Sequence, residues 1–584
     1  MHNADVIRVL AEMADLLDIE GGNPFRIRAF RNAIELLENF PVDLGQYLKE
    51  GHVLEELQGI GKGLARDIRE ILETGDCGAH RELLKKYPAS LLSLLLVPGL
   101  GPKKVRKLFD ELGVESLDPL EEACRSHKVR ALAGFGAVTE EKILKGLLHA
   151  KTTAGRFLLS EADDVARALV SHLRKVKGAE RIETAGSLRR RKETVGDIDV
   201  LAAGGAALAP RVMDALVRYP RVEEVLARGD TKSSVRLRGG MQVDLRFLKP
   251  SEFGAAWQYF TGSKEHNVAL RQRAKQRGLK LSEYGIFRDR DEKRVAGATE
   301  EEVYEALDLV WIPPEFRENR GEILEAEKGK IPALVELADL RGDLHTHTVE
   351  TDGSATIEEM AEAAQKRGLE YLAITDHSKA VTVARGMDER RLLRQIEAVR
   401  RAQEKFEKIR LLAGVEVDIL KDGSLDLRDD ALARCDFVVA SVHFALSMGE
   451  SEMTKRIVKA MRSPHVDALG HPTGRLIKGR GGYAVNLRAL IEAAVETETF
   501  LELNAYPMRL DLGDAALREA KAAGAGVVLS TDSHDTSDLE NARYGVDTAR
   551  RGWLTKHDIV NTLAWRDFCK ALGARKKKST PGGM

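Results

Sequence analysis

The 584-residue sequence holds only four cysteines, Cys77, Cys124, Cys435 and Cys569, far apart and with no CxxC pair. That spacing argues against a thiolate zinc site and fits a reducing cytoplasm. Long apolar runs are missing too. The longest stretch without a charge, Tyr87 to Pro102, spans 16 residues and carries Pro88, Pro98 and Pro102. A membrane-spanning helix needs roughly 20 apolar residues, so no membrane partner is expected. The opening MHNADVIRVLAEMADLL has neither a basic n-region nor a cleavage signal, so no secretory leader is expected. With 43% hydrophobic and 31% charged residues, the composition excludes collagen-like and broadly disordered chains. The length predicts three to five domains.

Net charge is also nearly absent, at −1, but the total averages unlike segments. Residues 151–300 carry 30 Lys and Arg against 20 Asp and Glu, whereas residues 301–340 carry 4 against 11. The basic segment is where a polyanion would bind, although a solvated basic face explains charge alone equally well.

Residues 1–80 read as short amphipathic helices, and AEMADLL, AFRNAIELLENF and LARDIREILETG show three- and four-residue apolar spacing. Residues 81–150 continue that style between Gly-rich turns. Short β-type runs appear at 180–250, in ERIETAGS, VGDIDVLAA and MQVDLRFL, and 250–312 is mixed. PPEFRENRGEILEAEKGKIP (313–332) is acidic with three prolines and reads as a linker. From Arg341 apolar strands alternate with helices, which predicts parallel β/α units closing into a barrel, without repeats that align. The final ARKKKSTPGGM reads as a disordered basic tail.

Three glycine hairpins mark the first third. Gly59-Ile60-Gly61-Lys62 precedes LARDIREIL, Gly99-Leu100-Gly101-Pro102-Lys103-Lys104 precedes VRKLFDEL, and Gly134-Phe135-Gly136 precedes VTEEKILKGL. Two glycines allow a tight turn that exposes backbone N–H groups at a helix N-terminus, where the dipole favours an anion. A DNA phosphate fits there without base readout. The segments resemble helix-hairpin-helix motifs, with Gly59, Gly61, Gly99, Gly101 and Lys103 as candidate DNA contacts. The third copy lacks the lysine and reads as structural.

Asp197 and Asp199 lie two apart in a strand-like run and therefore share a face. Asp244 lies in a second such run, QVDLRF. Three carboxylates on neighbouring strands suit Mg2+ or Mn2+ and in-line phosphoryl transfer. Gly186-Ser187 and the basic run from Arg189 to Lys192 stand just upstream, as groups able to meet a triphosphate.

GSLRRRKETVGDIDVL and WQYFTGSKEHNVALRQRAKQRGLKLSEYGIF resemble the signatures of the X-family DNA polymerases, the relatives of polymerase beta. The resemblance spans about 1–315. It implies that Asp197, Asp199 and Asp244 are catalytic metal ligands, the last acting on the primer 3′-OH. It puts Gly186, Ser187, Arg190 and Gly196 at the triphosphate. Tyr259, Phe260 and Gly262 fall at the sugar, and Asn267 and Arg271 at the nascent base pair. Two positions depart from the family: Asp67 stands where vertebrate repair members carry a Schiff-base lysine, and Gln242 replaces an arginine two residues before the third aspartate.

The C-terminal half is rich in histidine. His345, His347, Asp352, His377, Glu416, His443, His471, Asp532 and His534 each follow an apolar strand-like run or the turn after it. One such histidine has a structural explanation; six with three carboxylates point to metal. Nine N/O ligands without thiolate suit two or three Zn2+, Mn2+ or Fe2+ ions. Residues 341–575 resemble the PHP (polymerase and histidinol phosphatase) domain. The resemblance implies one ion at His345, His347, Glu416 and Asp532, a second at Glu416, His443 and His471, and a third at Asp352, His377 and His534.

Together these resemblances imply a multidomain chain. It would comprise a helical lyase-like DNA-binding domain (1–80), helix-hairpin-helix fingers (81–152) and an α+β nucleotidyltransferase palm (153–250). A thumb (251–315), a linker (316–340), a distorted β/α barrel of PHP type (341–575) and a tail (576–584) would follow. The expected function is a DNA repair polymerase that fills short gaps, with a 3′–5′ exonuclease or 3′-end phosphoesterase. The expected partners are dNTPs and gapped or nicked DNA with a 3′ primer end, for a monomer at the cytoplasmic nucleoid. The alternative is a DNA-end phosphatase or phosphodiesterase whose polymerase half positions DNA.

Overall fold

The computed structural model describes residues 3–38, 44–49, 51–57, 59–97, 99–153, 155–179, 181–479 and 481–579. Two compact units divide the chain, Met1–Arg156 with Lys478–Arg480, and Phe157–Ile477 with Gly481–Met584.

The first unit is helical. Its longest helices are Asn3–Glu20, Pro24–Glu38, Lys62–Thr74, Pro102–Leu112 and Ala137–Thr153. The apolar spacing buries Leu10, Met13 and Leu17 in one core with Ile68, Ile71, Leu108 and Leu120. All three hairpins use one backbone device: Gly59, Gly99 and Gly134 take left-handed φ values of 98°, 87° and 85°. A side chain is strained there, which is why glycine recurs. Gly61 and Gly101 then cap the next helices in extended conformation.

The second unit begins with a five-stranded sheet. Its spatial order is Arg181–Thr184, Asp197–Ala203, Gln242–Leu248, Lys232–Leu237 and Val222–Arg228. The strands Asp197–Ala203 and Gln242–Leu248 are parallel, and their register sets Asp199 directly beside Asp244. Helices Phe253–Thr261 and Lys264–Gln276 follow, then a three-stranded antiparallel sheet over 279–296.

Seven parallel strands in sequence order build the C-terminal part: Gly342–Asp343, Tyr371–Ile374, Arg410–Asp418, Phe437–Ser441, Ala468–Leu469, Phe500–Asn504 and Val527–Ser530. A parallel bridge from Thr346 to Ser533 joins the first strand's exit to the last's, so the sheet nearly closes into a barrel. Apolar strands buried on both faces are what such a parallel sheet requires.

Two stretches differ from their sequence reading. The acidic, proline-containing segment taken as a linker is packed: it forms the helix Glu322–Glu327 and buries Phe316, Arg317, Glu322 and Val335. Phe316 stacks on Trp553 with ring centroids 4.4 Å apart. Part of the basic tail is also helical, because the helix starting at Trp565 runs to Ser579. Phe568 and Leu572 anchor it in the barrel, and the following lysines are good helix formers. Residues 580–584 of the tail lie outside the described residues.

Two candidate active sites

In the first unit, Lys62 and Lys103 are exposed beside their glycine hairpins. The third hairpin is tied to the second: Lys107 donates to the Ala133 carbonyl at 2.6 Å, and Lys104 lies 5.8 Å from the Phe135 ring centre. Asp67 is buried at 5% exposure and pairs with Arg66 at 3.2 Å.

In the palm, Asp197 is exposed and Asp199 and Asp244 are half-buried. Burial, with the charges of Asp197 and Asp244 beside it, pushes the Asp199 carboxyl up to about 7, against the opposing pull of Arg246 and Arg190. Asp244 goes the other way. Burial raises it, but hydrogen bonds with Gln242 and Ser234 and the charge of Lys232 outweigh that and hold it low. Gln242 Nε2 donates to Asp244 Oδ1 at 2.9 Å, so the residue that departs from the family still braces the third aspartate. Gly186 has φ 64°, and a Cβ there would lie 2.4 Å from Asp199 Oδ2. The glycine is therefore fixed by the carboxylate as well as by the turn.

Ser187 lies in the one-turn helix Gly186–Arg189, and Arg190 caps it. Gly196 joins the strand Thr194–Val195 to Asp197. Tyr259 and Phe260 meet edge to face at 5.1 Å, and Arg246 lies 4.3 Å over the Phe260 ring. A Cβ on Gly262 would stand 3.1 Å from Arg190 Nη1. Asn267 is buried, with its amide donating to the Tyr259 carbonyl at 2.7 Å and accepting from Gln258 at 2.8 Å. Arg271 is exposed on the next turn of the same helix.

At the mouth of the barrel all nine sequence-predicted ligands converge at the C-terminal ends of the strands. Ligand atoms lie within 4.8 Å of one another in three groups: His345, His347 and Asp532; His377, Glu416 and His443; and His347, Asp352, His377 and His534. His471 Nε2 joins through Glu416 Oε1 at 3.1 Å, on the same oxygen that His443 Nε2 approaches at 3.3 Å. Glu416 Oε2 lies 3.5 Å from His345 Nε2 and 2.7 Å from His377 Nδ1, so one carboxylate joins all three sets. The palm aspartates are not drawn that close among the described residues.

The buried donors of this mouth fit divalent cations. His345 Nε2, both ring nitrogens of His347, His471 Nδ1 and Glu416 Oε2 are buried without a hydrogen-bond partner. Each such atom costs about 1–3 kcal/mol unless something satisfies it. Burial alone would raise Glu416, yet the charges of His443, His377 and His345 hold it well below the carboxylate range. His443 and His534 are pushed up to about 9 despite burial, by Glu416 and Asp418 in one case and Asp352 and Asp532 in the other. A cation would take the place of those protons. Asp352 and His534 are about one-third exposed whereas His345 and His347 are fully buried, so the site opens to solvent on the Asp352 side.

Sequence reasoning missed the supporting shell. Glu502 Oε1 accepts from His345 Nδ1 at 2.7 Å, Asp418 Oδ2 lies 3.2 Å from His443 Nδ1, and Asn504 donates to Asp532 Oδ2 at 3.0 Å. These partners fix ring orientation and ligand basicity. The signal was present: Asp418 is two residues after Glu416, and Asn504 two after Glu502, each pair on one strand face.

Family models match at residues 1–77 (helix-hairpin-helix domain), 91–147 (SAM-like helix-hairpin-helix tandem), 256–318 (DNA polymerase beta thumb) and 343–505 (PHP domain). The DNA polymerase/3′-5′ exonuclease PolX of Bacillus subtilis is 41% identical over 97% of this chain and 98% of its own length. The chain belongs to the bacterial family X DNA polymerases with a C-terminal PHP domain. Within this PolX family member, the PHP part alone is also similar to shorter proteins. A probable phosphatase of Acetivibrio thermocellus is 32% identical over 33% of this chain and 78% of its own length. One from a Thermoanaerobacter species is 29% identical over 38% and 89%. No helix is long and apolar enough to cross a membrane among the described residues.

Proposed function

We propose that this chain is a DNA repair polymerase that fills short gaps from dNTPs and trims 3′ ends through its barrel. The observation that carries the reading is the coexistence of two carboxylate-bearing sites in a chain similar over its whole length to a polymerase/exonuclease. Divalent cations, Mg2+ or Mn2+ in the palm and two or three Zn2+, Mn2+ or Fe2+ ions in the barrel, supply charge neutralisation and an activated water when bound. In the palm, Asp197, Asp199 and Asp244 would hold the ions. The Asp244 carboxylate, steadied by Gln242, faces the primer 3′-OH. Ser187, Arg190 and the backbone at Gly186 and Gly196 hold the triphosphate. Tyr259, Phe260 and Gly262 bound the sugar, while Asn267, held in the thumb, and Arg271 border the base pair.

In the barrel, the nine ligands group as His345, His347, Glu416 and Asp532; as Glu416, His443 and His471; and as Asp352, His377 and His534. Glu502 and Asp418 hold the ligand rings, and the opening beside Asp352 admits a phosphoester. The glycine hairpins, through Gly59, Gly61, Gly99, Gly101 and Lys103, grip the DNA backbone without base readout. The enzyme acts as a monomer at the nucleoid of the cytoplasm.

A second reading is favoured by one observation. Eight of the nine barrel ligands are already gathered in three groups whose atoms lie within 4.8 Å of one another, whereas the three palm aspartates form no such group among the described residues, as a DNA-end phosphoesterase with a positioning palm would have it. A 5′-labelled primer in a one-nucleotide gap, with Mn2+, separates the two. Extension with dNTPs together with shortening without them supports the dual enzyme; shortening alone overturns the polymerase half of the reading.

A further inference from the structure

Arg190 is held on two of its three guanidinium nitrogens. Its Nη1 donates to the Thr261 carbonyl, and its Nε donates to Glu318 Oε1 at 3.1 Å. That same Glu318 oxygen accepts from Nη1 of Arg551 at 3.1 Å, and this Nη1 also reaches the Arg190 carbonyl at 2.8 Å. Arg551 belongs to the barrel helix Ala542–Arg551. Its other nitrogen, Nη2, is anchored on Asp514 at 2.7 Å. Arg190, Glu318 and Arg551 are 12%, 11% and 5% exposed, so the chain of contacts runs through a water-poor region. Burial would raise the Glu318 carboxyl, but Arg190, Arg551 and Lys192 hold it ionised. The surroundings are equally shared: barrel residues Leu510 and Tyr544 lie in the palm's apolar core, and Arg191 pairs with Asp547 at 2.6 Å.

The guanidinium fork is rigid, so fixing two nitrogens aims the third. Arg190 lies close enough to Asp199 for its charge to favour the ionised carboxyl, and Asp199 stands beside Asp244 on the neighbouring strand, so the held guanidinium belongs to the surroundings of the catalytic carboxylates. We propose that Arg551 and Glu318 form a positioning relay by which the phosphoesterase barrel orients the polymerase's nucleotide-binding arginine. The relay rests on the assignment of Arg190 to the triphosphate. Neither Arg551 nor Glu318 touches the nucleotide. They act by holding Arg190 at Nε and at its carbonyl, so the donor is oriented before the triphosphate arrives and less ordering is needed on binding.

The test is single-nucleotide insertion on gapped DNA with Mn2+, using the full chain, with 3′ trimming and thermal melting measured alongside. Arg551→Met and Glu318→Gln are each expected to raise KM for dNTP about ten-fold, the loss of one charge-assisted contact, with kcat changed far less. Trimming is expected to stay at the parent rate. Arg551→Lys, which keeps the charge but not the fork, should recover part of the KM. The decisive arm is the cycle with Arg190→Ala. If the relay acts through Arg190, adding Arg551→Met or Glu318→Gln to that variant raises KM no further. Equal KM increases in both backgrounds, or none in either, overturn the relay. If Arg551→Met does not fold, the Glu318→Gln cycle decides between the same outcomes. An Arg190→Ala variant with parental KM instead overturns the triphosphate assignment itself, an outcome the cycle keeps separate from failure of the relay.

Discussion

The palm and the barrel mouth both collect acidic ligands, yet they are built to opposite plans. In the barrel, Glu416, His345 and His347 are buried with ring nitrogens and a carboxylate oxygen that make no hydrogen bond, and Glu502, Asp418 and Asn504 brace His345, His443 and Asp532 from behind. In the palm, Asp197 faces water, and the carboxyl of Asp199 is raised by burial and then by the two aspartates beside it. A prebuilt site of this kind would carry a metal as part of the fold. A site of mutually repelling carboxylates is completed only when cations, and a triphosphate with them, neutralise it. The difference fits the proposed chemistry: hydrolysis would use a standing water-activating centre, whereas synthesis would assemble its centre with each nucleotide.

Several variants would break or sharpen that contrast. The largest expected effect is Glu416→Gln, which touches all three ligand sets; trimming should fall on the order of a thousand-fold or more while gap filling persists. Gly186→Ala should cost synthesis on the order of a hundred-fold, because the new Cβ must displace Asp199 and misplacement of about 1 Å is that expensive in rate. Steady-state extension on gapped DNA measures it, with trimming as the unchanged control. Glu502→Gln, one step removed from the metal, should lower barrel metal content or trimming about 10- to 100-fold, which elemental analysis after dialysis against a chelator reads directly.

The pH response is a finer probe. The raised Asp199 carboxyl gives the metal-free fold stability at pH below about 4 that is lost as pH rises through about 7. A palm cation competes with that proton. Apparent Mn2+ affinity at the palm should therefore climb about ten-fold per pH unit toward 7 and level off above it, and Asp199→Asn should abolish the slope. A flat titration in the parent chain would mean the carboxyl is already ionised. The smallest effect is Gln242→Ala, which removes one hydrogen bond to Asp244 and should slow extension several-fold.

Much of this was legible in the sequence. His345 and His347, or Asp197 and Asp199, share a face because strand residues two apart do. The three Gly-x-Gly turns announced their left-handed φ. Glu502 and Asp418 obey the same spacing rule but sit inside the apolar runs LELN and VEVD, where they read as strand residues. The Gly186 requirement was half visible: the turn could be read, but the Asp199 oxygen 2.4 Å from a would-be Cβ could not. The segment after Pro313 misled because prolines and acidic charge mark linkers on average, whereas Phe316 and Arg317 are buried here. Contacts such as Arg190 to Glu318 and Arg551 to Glu318 join residues 128 and 233 positions apart, and no local pattern encodes them.

The central claim is that one chain carries two independent phosphoryl-transfer sites. The most direct measurement follows a 5′-labelled primer in a one-nucleotide gap, with Mn2+ and with or without dNTPs, in Asp244→Ala and His345→Ala proteins side by side. The account predicts shortening without extension in the first and extension without shortening in the second. Loss of both activities in either folded variant would contradict it.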